Sequence, residues 1–159
     1  MKQILGAAAA ALALGTCGAG AASFDEYPAE PFTAKPQYPD FQGAPEIYSV
    51  FHTRLNDAAH SAANFGGRWV VEELGCGSGC VMAFVIDHKT GAIVDAPISG
   101  ENNLNARYYY RADSNLLKTT WIEGDFMTGV CMIGEWVLDD RGFHLISVTR
   151  HVPLEDCQQ

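Results

Sequence analysis

Basic side chains are scarce in this chain. Ten Lys and Arg stand against 19 Asp and Glu in 159 residues, a formal charge of −9. Non-specific binding to nucleic acid or to anionic lipid requires a basic face, so this balance argues against both, and a charge-driven partner is expected to be cationic. Long apolar segments are also missing: the apolar run at 4–15 falls short of the roughly 20 residues a membrane span needs. Catalytic motifs are equally thin. No phosphate cradle, zinc-hydrolase pattern or calcium loop occurs. The nucleophile elbow needs Gly two residues either side of its Ser, whereas Ser78 has Cys76 and Cys80 there. A Cys-x-x-Cys redox pair fails too, because three residues separate Cys76 from Cys80. No cofactor and no metal site is expected.

What the chain does contain begins with an export signal. Lys2 supplies a minimal basic start, 4–15 is an uncharged run dominated by Ala and Leu, and Ala19-Gly20-Ala21 places small residues at a cleavage point. Residues 1–21 therefore read as a signal peptide, and the mature chain as periplasmic or secreted. Leu14-Gly15-Thr16-Cys17 also resembles a lipobox, with Thr16 a poor match, so a lipid anchor at Cys17 is the alternative. Loss or acylation of Cys17 leaves Cys76, Cys80, Cys131 and Cys157, an even number in a compartment where disulfides persist. A four-thiolate zinc site would need paired short spacings that are not present.

Residues 22–44 form a Pro- and aromatic-rich extended arm. Pro28, Pro31, Pro36 and Pro39 prevent regular helix, while Phe24, Tyr27, Phe32, Tyr38 and Phe41 suit an arm lying against a domain, with docking to a partner as the alternative. Residues 45–159 read as a single β-rich domain. Pro45 opens a helix in which Ile47, Phe51, Leu55, Ala58 and Ala62 share one face, ending at Asn64-Phe65-Gly66-Gly67. His52, Asn56 and His60 lie opposite as a solvated polar face; the two His are two turns apart, too far for one metal ion. Beyond Gly67, runs at 68–74, 81–87, 92–95, 107–111, 116–122, 129–138 and 143–152 are rich in Val, Ile, Tyr, Trp and Thr and are separated by turn residues. The expected fold is α+β, one amphipathic helix packed on a curved antiparallel meander of about six or seven strands.

The last hairpin allows a register argument. A loop at 139–142 places Leu138 opposite Phe143, and Cys131 opposite Arg150. A tail that turns back then brings Cys157 beside Cys131, leaving Cys76 with Cys80. In the chain-entropy model these closed loops contribute about 3.5 and about 2 kcal/mol.

The densest local signal is Gly75-Cys76-Gly77-Ser78-Gly79-Cys80 between two predicted strands. Its glycines permit close backbone approach and a short disulfide clamps the tip. Gly75, Gly77, Ser78 and Gly79 are the candidate binding loop; an anion nest or a plain hairpin turn are the other readings. Carboxylates are plentiful without forming a motif. Glu72 and Glu73 are adjacent in a strand and point to opposite faces. Glu135, Asp139 and Asp140 cluster near a hairpin end, and His88, His144 and His151 are scattered. The function expected is a non-catalytic binding or inhibitor-like module for a protein partner. An envelope-acting hydrolase using a carboxylate and a His, and a structural envelope component or lipoprotein, are the alternatives.

Four segments carry a resemblance. Asn64-Phe65-Gly66-Gly67-Arg68-Trp69, the Cys76 loop, Asp87 followed by Thr90-Gly91, and Asp113-Ser114-Asn115-Leu116-Leu117 resemble a group of small uncharacterised exported proteobacterial proteins. That resemblance implies export and fold, with no activity to carry over. A looser likeness is to periplasmic inhibitors of vertebrate lysozyme, which plug the enzyme with a short Cys-to-Cys loop. Here the loop is shorter and its tip is Gly-Ser-Gly, without the His and acidic side chains of those inhibitors.

Overall fold

The computed structural model describes residues 21–151 and 154–157, so all of the expected signal peptide except Ala21, and Cys17 with it, lies outside the described residues. Seven strands form among them: β1 Trp69–Gly77, β2 Cys80–Asp87, β3 Ile93–Asp95, β4 Leu104–Arg111, β5 Ser114–Glu123, β6 Val130–Asp139 and β7 Gly142–His151. Pairing is antiparallel throughout, but the strands do not make one meander. β1-β2-β3 form one sheet and β4-β5-β6-β7 a second. The break falls at 96–103, where Ala96 and Ile98 turn inward as core residues and the Ile98 carbonyl accepts the Tyr108 hydroxyl.

Alternation along the strands gives each sheet two distinct faces. Trp69 and Val71 of β1, with Ala83 and Val85 of β2, pack against Tyr108, Leu117, Trp121 and Leu138 of the larger sheet. Val70, Leu74, Phe84 and Ile86 turn the other way and bury Leu55, Ala58 and Ala59 of the helical layer. The order is helix, three-stranded sheet, four-stranded sheet.

The helix expected from Pro45 is broken in two. α1 spans Glu46–Val50 and α2 His52–Ala59, with Phe51 between them at ψ 15°. Packing explains the interruption: Tyr48 and Phe51 both turn onto Phe84, at ring distances of 5.7 and 5.9 Å, while Ile47 of the expected stripe stays exposed. Helical structure also stops earlier than expected, at His60.

The last hairpin follows the expected register from Leu138 opposite Phe143 as far as Trp136 opposite Leu145. A bulge at Ile146 then shifts it by one residue, and Cys131 lies opposite His151 instead of Arg150. A 3-10 turn over Leu154–Cys157 brings Cys157 to Cys131, with Cα atoms 5.6 Å apart, and the disulfide is buried beside Ile122.

The arm runs across all three layers. Ser114 Oγ donates to the carbonyls of Phe24 and Tyr27, Ala29 N donates to Asp113, Phe32 N to Gly67 and Gln37 N to His88. Its aromatics then reach the helices, Tyr38 stacking on His60 at 4.0 Å and Phe41 meeting His52 in a tilted contact at 4.3 Å. The face read as solvated polar surface is thus partly a seat for the arm.

Candidate functional site

Three of the four motif segments have structural work at the joint between arm and sheets. Asn64 pairs through its side-chain amide with both backbone groups of Val71, at 2.8 and 3.1 Å. Gly67 holds φ 74°, and a Cβ there would collide with the Glu30 carbonyl oxygen. Asp87 closes the β2–β3 turn by accepting from Lys89 N and Thr90 Oγ1. Ser114 binds the arm as described, and Leu116 and Leu117 are core.

The fourth segment stands apart. The Cys76–Cys80 disulfide closes the tip of the β1–β2 hairpin, with Cα atoms 5.0 Å apart. Gly77 and Ser78 are exposed. Gly79 takes φ 69°, its carbonyl accepts Asn105 N at 2.7 Å, and its α-carbon lies so close to the Phe126 ring that no Cβ would fit. The tertiary structure therefore adds residues that sequence reasoning missed. Residues 124–129, between β5 and β6, fold back beside the disulfide tip and present Phe126 and Met127, the latter 85% exposed. Asp125 rigidifies this loop: its carboxylate accepts the backbone N–H of Met127 and of Thr128, both at 2.8 Å, and the Thr128 hydroxyl at 2.6 Å. Those bonds, the Thr128 hydroxyl foremost, hold the Asp125 carboxyl below its ordinary range. A Phe-Met pair between Gly124 and Gly129, behind an Asp able to cap the turn, was the available sequence signal.

Ser78 has no His or carboxylate hydrogen-bonded to it among the described residues. The carboxylates read as one cluster are divided. Glu135 is not in a solvated turn; it is buried in mid-β6, where its oxygens accept Ala22 N and Ser147 Oγ. Asp139 and Asp140 do sit at the β6–β7 turn, and Asp139 meets His144 at 2.9 Å. They border a cleft of about 630 Å³ between the arm, Arg68–Trp69 and that turn.

Charge in this cleft is already compensated. Arg68 lies over the Trp69 ring at 4.3 Å, with its Nε 3.0 Å from Asp87 and its Nη2 on Asp140, which also takes Lys89 Nζ at 3.0 Å. Arg68 Nε is buried and off-line for a hydrogen bond to Asp87, leaving an ion pair without that bond. The Arg141 backbone N–H, helped by His144, holds Asp139 at about 2. Arg68 and Lys89 likewise hold Asp140 low. Carboxyls this acidic are weak proton acceptors. Three other histidines are structural in their contacts: His88 is buried with Nε2 3.0 Å from the Ala59 carbonyl, His60 stacks on Tyr38 and His52 packs at a tilt on Phe41. Glu72 and Glu73 point apart, Glu72 to Arg54 at 2.6 Å and Glu73 to the Tyr110 hydroxyl at 3.3 Å. No group of three or more metal-capable side chains gathers among the described residues.

Comparison with family models finds no match, and comparison with curated proteins and with solved structures finds no significant likeness.

Proposed function

We propose that the protein is an exported, non-catalytic binding or inhibitor-like module whose partner surface is the joint tip of loops 75–80 and 124–129. One observation carries this reading. Met127 is 85% exposed on a loop locked by Asp125, and beside it Phe126 packs one part of its ring on Gly79 of the disulfide-clamped tip and leaves 37% in solvent. Ordered apolar side chains held in solvent suit a partner that buries them, since interface energy concentrates in a few such anchors. Glu123 and Asp125 flank the pair and the chain carries −9 overall, so the complementary surface is a protein with a basic rim around an apolar pocket. Two disulfides fit an oxidising extracellular compartment, and no described helix is long and apolar enough to cross a membrane.

Capture from an envelope extract on immobilised protein tests the surface. Retention of a basic protein is expected, weakened at least about tenfold by Met127→Asp, which places a charge at the interface centre without touching the core. Undiminished capture by Met127→Asp and by substitutions at Gly77 and Gly79 would sink the assignment. Titration against a vertebrate lysozyme examines the inhibitor form of the same reading.

A further inference from the structure

Glu135 lies on the outer face of the four-stranded sheet and is only 5% exposed. Its cross-strand neighbours are Lys118 on β5 and Ser147 on β7. Ser147 Oγ donates to Oε2 at 2.8 Å, whereas Lys118 Nζ makes a long ion pair with Oε1 at 3.6 Å, outside hydrogen-bond range. The short contact on Oε1 is the backbone nitrogen of Ala22, at 2.9 Å. Ala22 is itself buried, at 8% exposure, and Ala21 is exposed. A carboxylate removed from water is costly unless a close cation and a full set of donors replace that water. An amide N–H brings one hydrogen and no charge.

The sequence supplies a second positive charge at the same atom, closer to Oε1 than the Lys118 ammonium. Ala19 and Ala21 are the small residues at the third and first positions before the Ala21–Ala22 bond, the pattern cut by a leader endopeptidase. The nitrogen freed by that cut is the one seated on Glu135. Two independent observations, a cleavage pattern and a buried carboxylate, converge on it.

We propose that the chain is processed between Ala21 and Ala22 and that Glu135, with Ser147 beside it, is the built binding site for the new α-ammonium of Ala22. The inference rests on the export reading made above. A water molecule adds across the amide: the C–N bond breaks, a C–O bond forms, Ala21 leaves as a carboxylate, and the Ala22 nitrogen keeps its amide hydrogen and takes both protons of the water to become an ammonium. The protease is a leader endopeptidase of the export machinery. Processing then anchors the arm, because Ser23 N donates to Glu26 at 2.6 Å and Ser114 holds Phe24 and Tyr27 directly after the seated terminus.

The test uses the chain recovered from the envelope, compared with protein prepared to begin at Ala22 and protein retaining Ala21. Sequencing the exported chain is expected to read Ala22-Ser23-Phe24. Retaining Ala21 is expected to lower Tm by roughly 3–6 °C at neutral pH. In the form beginning at Ala22, the α-amino group should titrate above its ordinary range of about 7.7–8.0. The charged groups facing it are Glu135 and Lys118, with Glu26 one residue along. A raised folded pKa contributes stability that is complete below about pH 8 and is lost as pH rises through the folded midpoint, so the Tm gap should close there. Glu135→Gln should abolish both the gap and the raised titration. N-acetylated Ala22, which keeps Glu135 in place, should behave like the form retaining Ala21. Exported protein cut at another bond overturns this inference alone, and an uncut cytoplasmic chain overturns the export reading with it. Equal Tm values and an ordinary α-amino titration overturn the ammonium site even where the cut is at Ala22.

Discussion

Asp139 and Glu73 show how neighbouring groups set opposite titration behaviour on one small surface. The Arg141 N–H, the His144 ring and the Arg141 guanidinium stabilise the Asp139 carboxylate and hold it at about 2. Glu73 goes the other way: partial burial beside Tyr110 raises its carboxyl, only in part offset by the Tyr110 hydroxyl, whose own pKa is pushed up to about 12. The signs follow. The depressed Asp139 contributes stability that is present above the ordinary Asp value near 4 and lost as pH falls towards 2. The raised Glu73 contributes stability below its unfolded pKa that is lost as pH rises through its folded one. A carboxyl-resolved NMR titration should place Asp139 at about 2, and His144→Ala should move it up without restoring an ordinary value, since the Arg141 N–H remains. A midpoint near neutrality would instead mark Asp139 as an acid–base group. At this scale the opposite orientation of Glu72 and Glu73 was legible from strand alternation. The burial of Glu135 was not, because it depends on which segment crosses the outer face of the sheet.

The arm is the element whose attachment can be tested most directly. Gly67 is left-handed and backed by the Glu30 carbonyl, whereas Gly43, at a similar φ of 73°, faces open space. Gly67→Ala should therefore cost more than the roughly 1–2 kcal/mol of a left-handed Ala, and should release the arm to proteolysis. Gly43→Ala should show only the conformational part in thermal unfolding; equal losses at both sites would mean that the arm does not press on Gly67. Strand positions were legible because each run is short, β-rich and bounded by turn residues. Helix continuity was not, because the apolar stripe through Ile47 competes with Tyr48 and Phe51 for Phe84, and the rings decide the local geometry.

Across the whole molecule, the Cys131–Cys157 bond ties the C-terminal tail to β6 and closes the longer of the two disulfide loops. Removing it with paired Cys131→Ala and Cys157→Ala changes is expected to lower stability by about 3.5 kcal/mol in the chain-entropy model, measured by denaturant unfolding under oxidising conditions. Little change would mean that the tail is held by Leu154 and its neighbours alone. The pairing itself could be argued from sequence, since a hairpin loop at 139–142 brings the two cysteines to one end of the last hairpin; the one-residue bulge at Ile146 could not. The sequence by itself determined the local terms: strand runs and their periodicity, the turn residues, the disulfide pairs, the acidic balance and the small residues before Ala22. Only the tertiary structure decided the division into two sheets, the course of the arm, the meeting of Phe126 with the disulfide tip, and the seat of Ala22 on Glu135. Each of these joins residues distant in the chain, so each depends on side chains filling shared space, and no local periodicity encodes that.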